Sequence, residues 1–103
     1  MDERRQDYRL AEVFDAKWRA QSGGASCRLT DLSWHGCFVD VAHPPAVGED
    51  ADITVTLNGT PVQLHGQVRH VWPRIGFGMQ IDSAWPMTEP ERVAMRTLLN
   101  SPA

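Results

Sequence analysis

Lysine is almost missing from this sequence. Lys17 stands alone, and the other nine basic residues are arginines, three of which (Arg4, Arg5 and Arg9) fall within six positions of one another. Arginine presents a planar fork that matches phosphate and guanine edges, whereas lysine is a point charge, so the bias points to oriented recognition more than to bulk charge. Net basic charge is lacking too: the formal value of −3 argues against a broad cationic face for long nucleic acid. Cysteine is limited to Cys27 and Cys37, which excludes a disulfide-dense scaffold and reads as two small core residues. No C-x-x-C or H-x-x-x-H pair seeds a metal site among these cysteines and His35, His43, His65 and His70. Nor is there a long apolar run; the first ten residues carry six charges, so neither a secretory signal nor a membrane span is drawn, and the chain is read as cytoplasmic.

What remains is ordinary globular composition, 42% apolar and 22% charged over 103 residues, enough for one domain with one core. Period-two alternation runs through most of it. A first strand is expected over Leu10 to Ala20, ending at Ser22-Gly23-Gly24, and a second over Ala25 to Leu32, with Cys27 and Leu29 on one face. Cys37 to Val41 forms a short third strand, stopped by His43-Pro44-Pro45. Ile53, Val55 and Leu57 alternate up to Asn58-Gly59, a strong hairpin signal, after which Val62, Leu64 and Val68 continue to Trp72-Pro73. In the last strand Ile75, Phe77, Met79 and Ile81 are expected to point inward while Gly76 and Gly78 leave the other face bare.

Thr88-Glu89-Pro90-Glu91 has the form of a capping box, so a helix follows with Ala94, Met95, Leu98 and Leu99 as its buried stripe. The expected architecture is all-β: a six-stranded antiparallel barrel with a short C-terminal α-helix, preceded by a charged arm over residues 1–10.

Two motifs carry chemistry. Arg5-x-x-x-Arg9 is unspecific alone, since a second copy, Arg92 and Arg96, lies on the expected helix as a solvated pair. Asp31-x-Ser33-x-x-Gly36 is sharper: composition predicts only about 0.03 chance occurrences. On an extended arm Arg5 and Arg9 project to one side about 13 Å apart, a span suited to a dinucleotide. Asp31 and Ser33, two apart on a strand, are expected on one face, where a carboxylate accepts from guanine N1–H and N2–H₂ and a hydroxyl adds a hydrogen bond. Gly36 lets the backbone turn and approach closely. The competing structural account is that Asp31 and Ser33 cap a tight turn.

With Arg5 and Arg9 ahead of the first strand and Asp31, Ser33 and Gly36 on the barrel, the chain resembles the PilZ family of cyclic di-GMP receptors, over nearly its whole length from Glu3 to the strand ending at Ile81. The resemblance implies a six-stranded barrel, no catalysis, ligand contacts from Arg5 and Arg9, and a downstream protein partner in motility, exopolysaccharide or pilus control. Arg4, outside the strict motif, is a candidate to stack on an exposed guanine. The arm has little apolar area to offset its ordering entropy, so the ligand is expected to fold it over the barrel. Two other readings stay open: a PilZ-like interaction module without ligand, and a small barrel binding single-stranded nucleic acid. Trp34 and His35 sit inside the motif loop, and Trp18, Trp72 and Trp85 are read as core or rim packing.

Overall fold

The alternating segments fold into six antiparallel strands and one helix; the structure, a computed structural model, describes residues 12–99. The strands are β1 (Phe14–Ala20), β2 (Gly23–Thr30), β3 (Gly36–Asp40), β4 (Asp50–Leu57), β5 (Thr60–Trp72) and β6 (Gly76–Ile81), followed by α1 (Glu89–Leu99). They close into a barrel in the order β1-β2-β3-β6-β5-β4, β1 completing the circle against β4 with Ala16 opposite Val55 and Trp18 opposite Ile53. The inward half of each alternation forms the core: Leu29, Val39, Ile53, Val55, Leu57, Val62, Leu64, Val68 and Phe77 are fully buried. Each such side chain contributes about 1.5–3 kcal/mol of transfer free energy before entropy is subtracted. Asn58 (φ 49°) and Gly59 (φ 79°) supply the two left-handed residues that a two-residue hairpin turn needs, and they bring Leu57 opposite Thr60.

Helix α1 begins as its sequence directs. The Thr88 N–H donates to Glu91 Oε1 (2.8 Å) and the Glu91 N–H to Thr88 Oγ1 (3.3 Å), while Glu91 Oε2 accepts from the Gln63 N–H (3.0 Å) and ties the helix to β5. Ala94, Met95 and Leu99 are buried and Leu98 is half-buried, so α1 lays this stripe across β5 and β4. The connection before it is pinned by Trp85, which stacks on His65 at 4.5 Å; His65 Nδ1 in turn lies 2.6 Å from Asp52 Oδ1. No helix among the described residues is long and apolar enough to cross a membrane.

Three local expectations are corrected. Strand β1 starts at Phe14, with Glu12 and Val13 unpaired and Val13 56% exposed. Strand β2 stops at Thr30, two residues early, because Asp31 turns into the left-handed region (φ 54°). Ile75 does not point inward; it is 60% exposed, closing the turn Trp72-Pro73-Arg74-Ile75 through a 3.0 Å bond from its N–H to the Trp72 carbonyl, with Arg74 at φ 66°. A left-handed residue at the third position of a turn is a conformational demand that the alternation of apolar residues does not reveal.

Candidate functional site

The outer face of β3, β6 and β5 is built by one irregularity. Val62, Leu64 and Val68 point inward at even positions, and His70 and Trp72 would follow them into the core. Between Val68 and His70 the register shifts, so that Val68 stands opposite Met79 but His70 opposite Gly78. The bulge reverses the strand's parity: Val71 faces Phe77 and packs against the core, while His70 and Trp72 emerge on the outside. Phe38 reaches the same face from β3, opposite Gly78.

The glycines there have separate tasks. A Cβ at Gly76 would fall 2.2 Å from the Val39 carbonyl oxygen and 2.8 Å from the Phe38 ring, so Gly76 is what lets Phe38 lie across β6. A Cβ at Gly78 would meet nothing nearer than 3.9 Å, leaving an open floor between His70 and Trp72. The rings gather over that floor, Phe38 and Trp72 with centroids 5.5 Å apart and His70 and Trp72 5.8 Å apart, and Trp72 stays 46% exposed. The groove so formed has a volume of about 310 Å³ and includes Asp31, His35 and Arg69 on its rim. Arg69 Nε donates to Gln80 Oε1 at 2.7 Å, which orients that guanidinium along the rim.

The acidic motif divides its labour differently from a shared strand face. Asp31, held in the left-handed conformation that Asp tolerates better than most residues, is exposed at the groove rim. Ser33 is completely buried. Its Oγ accepts from the N–H groups of His35 and Gly36 (both 3.2 Å) and donates to the Gly36 carbonyl (3.3 Å), which also accepts from the Ser33 N–H at 2.9 Å. Ser33 is thus the keystone of the turn that presents Asp31. Gly36 approaches β6 so closely that a Cβ would lie 2.6 Å from the Met79 carbonyl oxygen. Of the two residues between them in the motif, Trp34 packs half-buried against the core and His35 reaches the groove.

Arg4, Arg5 and Arg9 lie outside the described residues. The structure therefore brings Asp31 and Gly36 to one groove, with Ser33 beneath it. Sequence reasoning missed Phe38, Arg69, His70 and Trp72 as site residues; the bare face of Gly76 and Gly78 was the available signal. Among the described residues no three His, Cys, Asp or Glu side chains are grouped to hold a metal ion. Cys37 is buried, and Cys27, half-buried, has its thiol pushed up to about 11 by burial and by the nearby Asp40 carboxylate.

Comparison with known proteins gives the same architecture. The inhibitor of motility MotI/DgrA of Bacillus subtilis superimposes with a TM-score of 0.72 at 16% identity, over 95% of this chain and 49% of that one. This chain therefore spans about half the length of that protein. The PilZ domain of CeSA from a cellulose-synthesizing bacterium superimposes with a TM-score of 0.64 at 16% identity, over 89% of this chain and 95% of that domain. No curated protein matches the sequence. The sequence model of the PilZ domain matches residues 3–100, and the chain belongs to the PilZ domain family.

Proposed function

We propose that this chain is a receptor for cyclic di-GMP that signals by changing its surface toward a protein partner and performs no catalysis. The observation that carries this reading is the groove on β3, β6 and β5, where the free carboxylate of Asp31 and the exposed face of Trp72 border a glycine floor. A guanine needs both kinds of group, an acceptor for N1–H and N2–H₂ and a flat apolar surface for its ring. Asp31 makes no hydrogen bond or ion pair among the described residues, so its lone pairs are available to a ligand. Arg5 and Arg9, on the preceding arm, supply charge and bidentate contacts for the phosphates, and Arg4 a further guanidinium face. A ligand held by arm and barrel together favours the closed arrangement through contacts that the open one lacks, which is what a switch requires.

The relatives by structure support an output of this kind: one bears the name of an inhibitor of motility, the other comes from a cellulose-synthesizing bacterium. Calorimetric titration with cyclic di-GMP tests the reading, with cyclic di-AMP as the contrast. Tight, saturable binding of the guanine ligand alone is expected; equal binding of both, or of neither, overturns it. The reading as an interaction module without ligand draws on the exposure of Trp72 and Ile75 at the β5–β6 turn, and it is the one left standing if neither nucleotide binds.

A further inference from the structure

Strand β2 is open along part of one edge. It pairs with β1 from Gly23 to Leu29 but with β3 only over Arg28–Thr30. Ala20 and Gly23 flank the tight turn Gln21-Ser22, so they exchange both backbone bonds, and Gly23, Ala25 and Cys27 turn theirs to β1. The N–H and C=O of Gly24 and of Ser26 therefore point away from it. Strand β3 has the matching parity: the Val41 N–H donates to the Ile75 carbonyl at 3.1 Å, so its odd positions face β6 while Asp40 and Phe38 face Arg28 and Thr30. Beyond Asp40 the chain leaves β2, and among the described residues no backbone group takes its place beside Gly24 and Ser26.

Nothing guards this edge. Exposed strand edges are commonly protected by lysine, proline or a bulge, but Gly23 to Cys27 holds no charge and no proline, and its register against β1 runs unshifted. The space beside it is free as well. Where β2 and β3 part, a recess of about 500 Å³ opens, bordered by Ser26, Cys27, Val41, Ala42 and Ile75. A strand laid there at the usual spacing of about 4.8 Å presents alternate side chains to two different surroundings. Those opposite Ala25 and Cys27 point to the inner side, where Cys27 and Val41 are half-buried against the core. Those opposite Gly24 and Ser26 point outward, on the face of Arg19 and Lys17, with only a hydrogen and a hydroxymethyl group between. Arg28 has Asp15 and Asp40 on either side. Lys17 and Arg19 have no ion pair among the described residues, and Asp52, beyond Arg19 on β4, is engaged by His65 Nδ1 at 2.6 Å.

We propose that the edge of β2 over Gly23–Cys27 receives an extended segment of another protein as an added strand, with acidic residues alternating with apolar ones. Its backbone pairs with the N–H and C=O of Gly24 and Ser26, which supplies affinity, and its alternate side chains supply selectivity. The acidic ones reach Lys17 and Arg19 across the small residues of β2, about 10 Å from strand to strand, and the apolar ones cover Cys27 and Val41. This deepens the proposed function by stating how its protein partner docks, and it rests on that reading only for there being a partner. The edge shares no residue with the groove assigned to cyclic di-GMP, so the two are tested apart.

The test uses the full, ¹⁵N-labelled chain without cyclic dinucleotide, titrated with an end-blocked peptide of alternating glutamate and valine. Saturable shifts and slowed hydrogen exchange are expected at the Gly24 and Ser26 amides. A peptide with lysine in place of glutamate should bind about tenfold more weakly, and the preference should reverse in the double variant Lys17→Glu, Arg19→Glu, whose exposed positions leave the fold intact. N-methylation of every second peptide amide, on the side that faces β2, should abolish binding. No saturable binding, binding that leaves the Gly24 and Ser26 amides unchanged, or binding that survives N-methylation overturns the site. Equal binding of the lysine peptide overturns the acidic chemistry. Slow exchange of both amides in the free chain means that the edge is already filled, by this chain if sedimentation finds a monomer and by a second copy if it finds a dimer, and either result overturns the partner.

Discussion

His70 stands opposite Gly78 across β5 and β6, one step beyond a register shift that leaves Val68 opposite Met79. That offset turns an aromatic face outward and leaves Gly78 as its floor, and the glycines around it differ in what they tolerate. Gly78→Ala is expected to leave thermal stability unchanged or slightly raised, because its Cβ would make only ordinary contacts. Gly76→Ala, driven against the Val39 carbonyl, should lower the melting temperature clearly. Calorimetric scans of the two variants check the pair, and a larger Gly78→Leu should abolish cyclic di-GMP binding in a folded protein.

Ser33→Ala should destabilise the fold by about 1–3 kcal/mol, since it withdraws the acceptor from two buried N–H groups. Asp31→Ala should cost about 1 kcal/mol, because alanine fits the left-handed φ of 54° less well than aspartate, and should remove discrimination between cyclic di-GMP and cyclic di-AMP. Denaturant unfolding and titration of both variants separate the support of the turn from the reading of the base; an Asp31→Ala variant that still prefers the guanine ligand contradicts the role given to Asp31.

Arg5→Ala and Arg9→Ala should each weaken cyclic di-GMP binding by about 1.5–3 kcal/mol, roughly ten- to a hundredfold, through loss of a charge-assisted contact. Arg92→Ala, the matching residue of the second R-x-x-x-R pair, should have no effect. Titration calorimetry on the three variants decides whether the pair ahead of β1 is the functional one.

Acid should loosen the β1–β2 turn first. The Glu49 carboxyl is held below its ordinary value of 4.5, chiefly by the Ala46 N–H and, against some desolvation, by the hydroxyl and N–H of Ser22. A depressed carboxylate stabilises the folded chain fully above its unfolded pKa, and that contribution disappears as pH falls through the lower folded value. The protection of the Ser22 and Ala46 amides against hydrogen exchange, taken relative to the intrinsic rate at each pH, should therefore fall below about pH 4.5, and Glu49→Gln should show the same reduced protection already at pH 7.

Cys27 should resist alkylation. A thiol raised from 9.0 to about 11 carries roughly a hundredfold less thiolate at pH 8 than an ordinary one. Iodoacetamide labelling followed by mass spectrometry should find Cys27 unmodified under conditions that consume a free thiol reagent.

The barrel was legible because Ile53, Val55 and Leu57, then Val62, Leu64 and Val68, alternate without interruption around Asn58-Gly59, and the helix because Thr88 and Glu91 stand at capping-box spacing. The groove was not. Its aromatic wall depends on the bulge beside His70, and a one-residue offset leaves no trace in a pattern of apolar residues, since Trp72 continues the even-numbered series as naturally as a core residue would. Ile75 escaped for a similar reason: the left-handed Arg74 displaces it from the inward row that its type suggests. Asp31 and Ser33 were found as a motif, but their division between rim and turn required the backbone, because φ at Asp31 decides which of the two meets solvent.

Closure of β1 against β4 also restricts how another protein can be recruited. Every described strand has a neighbour on both sides over part of its length, but β2 meets β3 only over Arg28–Thr30, so Gly23–Cys27, paired with β1 alone, is a stretch where an incoming peptide could extend the sheet. Away from that stretch a partner reads side chains on a curved wall, and the message it receives is written in which rings and charges are uncovered.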